Sequence, residues 1–106
     1  MSANEQAQEH RFAAGQIVAT RGVAELMAEN IDFATFVHES LARHLNGDWG
    51  DVDQEDKHSN DQALKQETRL LSAYNDGRFP KNGVATIWII TGADRSATTI
   101  LFPDEY

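Results

Sequence analysis

The spacing of apolar residues changes once along this chain, from helical to strand-like. Val23, Leu26, Met27 and Ile31 recur every three or four residues, which predicts a first helix with Thr20 as its N-cap. Phe33, Phe36, Val37, Leu41 and Leu45 form a second stripe of the same kind, opened by Asp32 as N-cap and stopped at Asn46-Gly47. Residues 48–58 read as an acidic loop, after which Ser59-Asn60-Asp61-Gln62 has the spacing of a capping box and starts a short third helix. From Glu67 onward the period is two. Leu70, Ser72 and Tyr74 alternate with Arg69, Leu71 and Ala73 until Asn75-Asp76-Gly77 breaks the strand. The run from Thr86 to Thr91 is apolar on both faces, as a central strand is, and the Gly92-Ala93-Asp94-Arg95 turn leads into a last strand from Ala97 to Phe102, ended by Pro103.

Strands joined by loops this short pair antiparallel. The expected fold is therefore α+β: two to three N-terminal helices packed on one face of a C-terminal antiparallel sheet, with strands at 68–74, 86–91 and 97–102. The β-branched run Gly15 to Thr20 is a candidate edge strand. Residues 1–12, polar and aperiodic, read as a flexible tail, and 13–106 as one domain; a chain of 106 residues has material for one core and not for two.

Composition narrows the chemistry. The chain has no cysteine, which excludes disulfides, thiolate nucleophiles and cysteine-held zinc, and suits a reducing compartment. Its first twelve residues lack the basic and apolar regions of a signal peptide, and its longest apolar run, Ile87-Trp88-Ile89-Ile90, falls far short of the ~20 residues that span a bilayer. A cytoplasmic protein with no membrane partner is the expectation. Net charge is −8, and its distribution is uneven: residues 1–66 hold 12 acids and 5 bases, residues 67–106 hold 5 acids and 4 bases. Such a surface repels duplex nucleic acid, so no direct DNA binding is expected, and it steers the chain toward basic proteins.

The acid is densest in Asp48-Trp49-Gly50-Asp51-Val52-Asp53-Gln54-Glu55-Asp56. Two readings stand for its core. Trp49 plugs the open end of the hydrophobic core while Asp48 caps local amides, or Trp49 with Asp48, Asp51, Asp53, Glu55 and Asp56 forms a binding surface. A calcium loop does not fit, because counting from Asp51 the sixth position is Asp56 where glycine is needed and the twelfth is Gln62 where glutamate is needed. Zinc does not fit either, since His38 and His44 lie six residues apart on different faces of one helix. No metal and no cofactor are expected. A second polar group, Arg69, Ser72, Asp94, Arg95, Thr98 and Thr99, falls on the sheet half. Were it to converge on His44, the chain would hold a general base and cations for phosphodiester cleavage, with His44 as base and Arg69 or Arg95 on the phosphate.

Ile17-Val18-Ala19-Thr20, Arg43-His44, Gly47-Asp48-Trp49-Gly50-Asp51, Arg69-Leu70-Leu71-Ser72-Ala73-Tyr74, Trp88-Ile89-Ile90-Thr91, Ala93-Asp94-Arg95-Ser96, Thr98-Thr99 and Pro103-Asp104-Glu105-Tyr106 together resemble a family of small bacterial proteins common on plasmids and other mobile elements. The resemblance covers residues 15–106. Members commonly carry proline after the first-motif threonine and glutamate before Ala-Asp-Arg, where this chain has Arg21 and Gly92. What the resemblance implies is a genetic setting rather than a reaction. In that setting an acidic domain is expected to occupy the nucleic-acid channel of a basic partner, with a CRISPR or restriction complex as the candidate, and so to inhibit it. The alternative in the same setting is a metal-independent ribonuclease-like toxin or nuclease, on fold-level analogy.

Overall fold

The structure, a computed structural model, describes residues 10–78 and 86–106. In chain order the elements are β1 (Gln16–Ala19), α1 (Arg21–Glu29), α2 (Ile31–Leu45), α3 (Gln54–Gln66), β2 (Leu70–Asn75), β3 (Thr86–Thr91) and β4 (Ala97–Leu101), followed by a 3-10 turn at Pro103–Glu105. The fold is α+β. Its sheet runs in the order β1-β4-β3-β2, with β2/β3 and β3/β4 antiparallel and β3 central. β1 joins β4 in parallel, Gln16 opposite Ala97 through Ala19 opposite Ile100. The sheet is therefore mixed rather than purely antiparallel, and one of its strands precedes the helices. A parallel neighbour needs a long crossover, which the helical half of the chain supplies.

Helix boundaries differ from the sequence reading where a cap was misplaced. Asn30, not Asp32, caps α2, its side chain accepting from Phe33 N at 3.0 Å, while Asp32 lies in the first turn where its charge suits the helix dipole. Ile31 opens α2 and is 81% exposed instead of joining the stripe of α1. α3 begins at Gln54 rather than at Ser59, capped by Asp53, which accepts from Asp56 N at 2.8 Å. Only Asn60 and Ala63 of α3 are buried, so it has almost no apolar stripe to read. Thr20 stands at the N-cap of α1 but makes no side-chain cap. That role falls to Glu105, whose carboxylate accepts from Gly22 N (3.1 Å), Thr20 Oγ1 (2.5 Å) and Phe102 N (3.0 Å). Burial alone would raise the Glu105 pKa, but these three hydrogen bonds together bring it below the usual range.

All three helices pack on one face of the sheet. Val23 of α1 and Phe33, Phe36 and Val37 of α2 bury against Tyr74, Ile87, Ile89, Ile100 and Phe102. A second, smaller cluster of Trp49, Ala63 and Leu70, flanked by Phe12, Val52 and Leu64, fills the end under α3. The expected tail reaches into this cluster at its last residues. Arg11 N donates to Leu45 O at 2.8 Å, and Phe12 packs on both His44 and Trp49. The remainder of that expectation, residues 1–9, lies outside the described residues. Among the described residues, no helix is long and apolar enough to cross a membrane.

Candidate functional site

The turn after α2 follows from its glycines. Gly47 and Gly50 have φ of +83° and +75°, and a side chain at Gly50 would run into the carbonyl of Ala73 and the ring of Tyr74. Residues 49–51 thereby lie alongside β2 and bond to it: Ala73 N donates to Trp49 O (3.3 Å) and Asp51 N to Ala73 O (2.6 Å). The carboxylate of Asp51 accepts from Asn75 N at 2.9 Å. Midway along α3, the buried Asn60 side chain closes the other end of β2, donating to Leu71 O (2.7 Å) and accepting from Leu71 N (3.2 Å). The outer edge of β2 is thus sealed by a loop and a helix.

Asp48 is held by two parallel bonds from Arg43, at 2.7 and 3.2 Å, and also accepts from Gly50 N. The hydrogen bond from Arg43 keeps its carboxyl below the ordinary range. The Arg43 guanidinium stacks over the Tyr74 ring, and the Tyr74 hydroxyl donates to Asp48 O at 2.6 Å. Burial pushes that phenol well above its usual pKa. Trp49 is 4% exposed, with its indole N–H donating to Asp61 at 2.9 Å. It therefore does not stand on the acidic surface; it plugs the second cluster, and Asp61 fixes its orientation. Asp51, Asp53, Glu55 and Asp56 are exposed along the rim of this loop and the first turn of α3. Among the described residues the ion pairs are Arg21–Glu25, Arg43–Asp48 and Arg78–Asp76, and none engages these four carboxylates. Asp56 also borders a pocket of about 210 Å³ with Ser59, Asn60, Arg69 and Leu71.

His44 is wholly buried and bonded through both ring nitrogens. Thr98 Oγ1 donates to the carbonyl of Ala14 at 2.7 Å, so Thr91 must give its hydroxyl proton to Thr98 at 2.8 Å. Thr91 Oγ1 then accepts from His44 Nε2 at 2.9 Å, which leaves Nδ1 as the acceptor for Ser72 Oγ at 2.6 Å. One fixed donor at Thr98 thus orients the whole chain of protons around a neutral imidazole. Burial, with a smaller contribution from the charge of Arg95, lowers the His44 pKa to about 4.

The nuclease arrangement does not form. His44 has no accessible lone pair, because its acceptor nitrogen is taken by Ser72 and its ring is covered by Phe12 and Trp49. Arg95, at φ +59°, spends its guanidinium on the carbonyls of Thr68 (2.7 Å), Gly92 (3.0 Å) and Ala63 (3.1 Å), and lies over the Phe12 ring. Arg69 is bonded elsewhere, to the Tyr106 hydroxyl at 2.7 Å. Of the polar group expected to gather on His44, Ser72 bonds it directly, Thr98 reaches it through Thr91, and Arg95 acts on it by charge alone, while Thr99 faces the opposite side of the sheet and Asp94 is tied to Ser96 in its turn. Thr91, which bonds His44 directly, is missing from that polar group, although its place two residues beyond Ile89 puts it on the core face of β3. Comparison with protein-family models, with curated proteins and with solved structures finds no match to this chain.

Proposed function

We propose that this chain is a small acidic inhibitor that docks its α3 rim on the basic surface of a nucleic-acid-handling partner and competes there with phosphate backbone. One observation carries the reading. Asp51, Asp53, Glu55 and Asp56 crowd one exposed rim, and among the described residues none of them is in an ion pair. From Asp48 to Asp61 six acids face a single base, Lys57, for a local net charge of −5. The folding uses of this loop account for Asp48, which Arg43 neutralises, for Asp61 under the indole, and for one oxygen each of Asp51 and Asp53. They leave Glu55 and Asp56 with no described side-chain hydrogen bond or ion pair, only the dipole of the first turn of α3. A field of this sign, arrayed on a rigid helix start, is suited to arginine and lysine channels and works through association rate.

The resemblance to mobile-element proteins points to CRISPR or restriction complexes as the partner class. The test is transformation of a targeted plasmid into cells with an active CRISPR or restriction system, with and without this chain. Raised transformation is expected, and the variant Asp51→Asn, Asp53→Asn, Glu55→Gln, Asp56→Asn should abolish it while melting like the parent. Equal protection by that variant would rule out charge mimicry.

A further inference from the structure

The outer edge of β1 presents the opposite case to that of β2. Gln16 N and Thr20 N donate inward to Ser96 O and Ile100 O, both at 2.9 Å. By the two-residue alternation of a strand, the peptide groups of Ile17 and Ala19 therefore point out of the sheet, where among the described residues nothing bonds to them. Ile17 and Val18 are 49% and 40% exposed. Natural edges are blunted by lysine, proline, a bulge or a covering element. Among the described residues this one carries none of these: from Phe12 to Thr20 there is no charged residue and no proline.

We infer that this edge pairs with the same edge of a second copy, antiparallel about a two-fold axis at Val18. Charge selects that occupant. In a chain of net charge −8 the stretch 12–20 is free of charge, so two copies approach there without bringing like charges into contact, and it is bounded by Arg11 and Arg21. With Val18 opposite Val18, each Ile17 exchanges its hydrogen bonds with Ala19 of the other copy. Arg21 then lies across from Gly15 of the other copy, beside the turn that holds its exposed Asp94. On the outer face the row Leu71, Ile90, Thr99, Val18 continues through the axis into its counterpart. The product is one eight-stranded sheet whose β2 edges are seven strand spacings apart, roughly 34 Å at about 4.8 Å each. Each end carries one acidic rim, so the dimer is bivalent toward a basic channel or toward two partner subunits.

Sedimentation or light scattering across a concentration series tests the pairing. Particles of twice the 11.8 kDa chain mass are expected for the parent, and of the single mass for Val18→Lys, which places two ammonium groups at the axis. Amide exchange supplies a readout that needs no variant: Ile17 and Ala19 should gain protection as concentration rises, whereas Val18, bonded within the monomer, should not change. A parent that stays at single mass throughout, or Ile17 and Ala19 amides whose exchange ignores concentration, overturns the inference. So does a Val18→Lys protein that folds and remains dimeric.

Discussion

The two edges of the sheet are treated in opposite ways by the same sequence. At β2 every outward peptide group among residues 71, 73 and 75 that is described with a partner is served by the acidic segment: Leu71 by Asn60, Ala73 by Trp49 and Asp51, Asn75 by the Asp51 carboxylate. At β1 no element among the described residues bonds to the outward groups of Ile17 and Ala19. The difference shows that an acidic, glycine-punctuated loop can be part of the backbone's hydrogen bonding and a charged surface at once, residue by residue. Its carboxylates divide into those that fold the chain and those that only face outward.

Removing the plug should break the β2 edge most severely. Trp49→Ala empties the second cluster, strips the indole partner from Asp61 and uncovers His44, at a cost of about 3–5 kcal/mol by the usual range for buried aromatics. A melting temperature lower by roughly 10 °C or more is expected. An unchanged melting point would mean that the indole is dispensable and the loop is held by its backbone bonds alone.

Acid should act next, through His44, whose hydroxyl chain ties α2 to β2, β3, β4 and the carbonyl of Ala14 just before β1. Folded, this imidazole has a pKa of about 4 against 6.5 as the ordinary value, so between those limits the unfolded chain binds the extra proton. The stability due to neutral His44 is complete above 6.5 and is lost as pH falls toward 4, up to about 3 kcal/mol at 1.36 kcal/mol per unit. Urea titrations at pH 7 and pH 4.5 read this slope. His44→Gln should be less stable at pH 7 yet flatter across the window, and an equal slope in both proteins would remove His44 as its source.

What was legible in the sequence, and what was not, follows the same physics. β3 was readable because Ile87 and Ile89 bury one face while Trp88 and Ile90 keep the other half-covered, and α2 because five apolar residues repeat at helical spacing. α3 is legible only from Ser59 onward: its first residues, Gln54 to His58, escape because a helix that buries only Asn60 and Ala63 has no apolar period, and its cap at Asp53 is hidden among other acids. The partnership of β1 with β4 escaped because nothing local encodes a contact between residues 16–19 and 97–100. Trp49 and Asp48 were legible only as two alternatives, since composition cannot say whether an indole between glycines points inward. His44 stands in the sequence only as a candidate base, because its burial and neutrality rest on Ser72, Thr91 and Thr98 arriving from three strands.

Asn60 sharpens the contrast between the edges without touching the charge. Asn60→Ala leaves the N–H and C=O of Leu71 without their side-chain partner, a loss of roughly 1–3 kcal/mol where water cannot fully replace it. Faster exchange of the Leu71 amide relative to Ile89 is the local signature. If that amide exchanges as before, the β2 edge is held elsewhere.

The smallest expected effect on folding is also the one that separates the two kinds of carboxylate. Asp53→Ala removes the α3 cap and should cost about 1 kcal/mol, whereas Glu55→Gln with Asp56→Asn leaves every described hydrogen bond in place and should stay within about 0.5 kcal/mol of the parent. Both amides even relieve repulsion at the rim, although acid in the first turn favours the helix dipole, so the two terms oppose each other. In binding the order reverses. Once a basic partner is in hand, the double amide should slow association and flatten its salt dependence, because only charges without an internal counterion project a field beyond the surface. Asp53→Asn, which keeps the cap while deleting the charge, isolates the electrostatic part of that residue. Should the double amide associate at the parental rate at low salt, Glu55 and Asp56 would be solubilising charges only, and the distinction between folding and outward-facing carboxylates would carry no functional meaning.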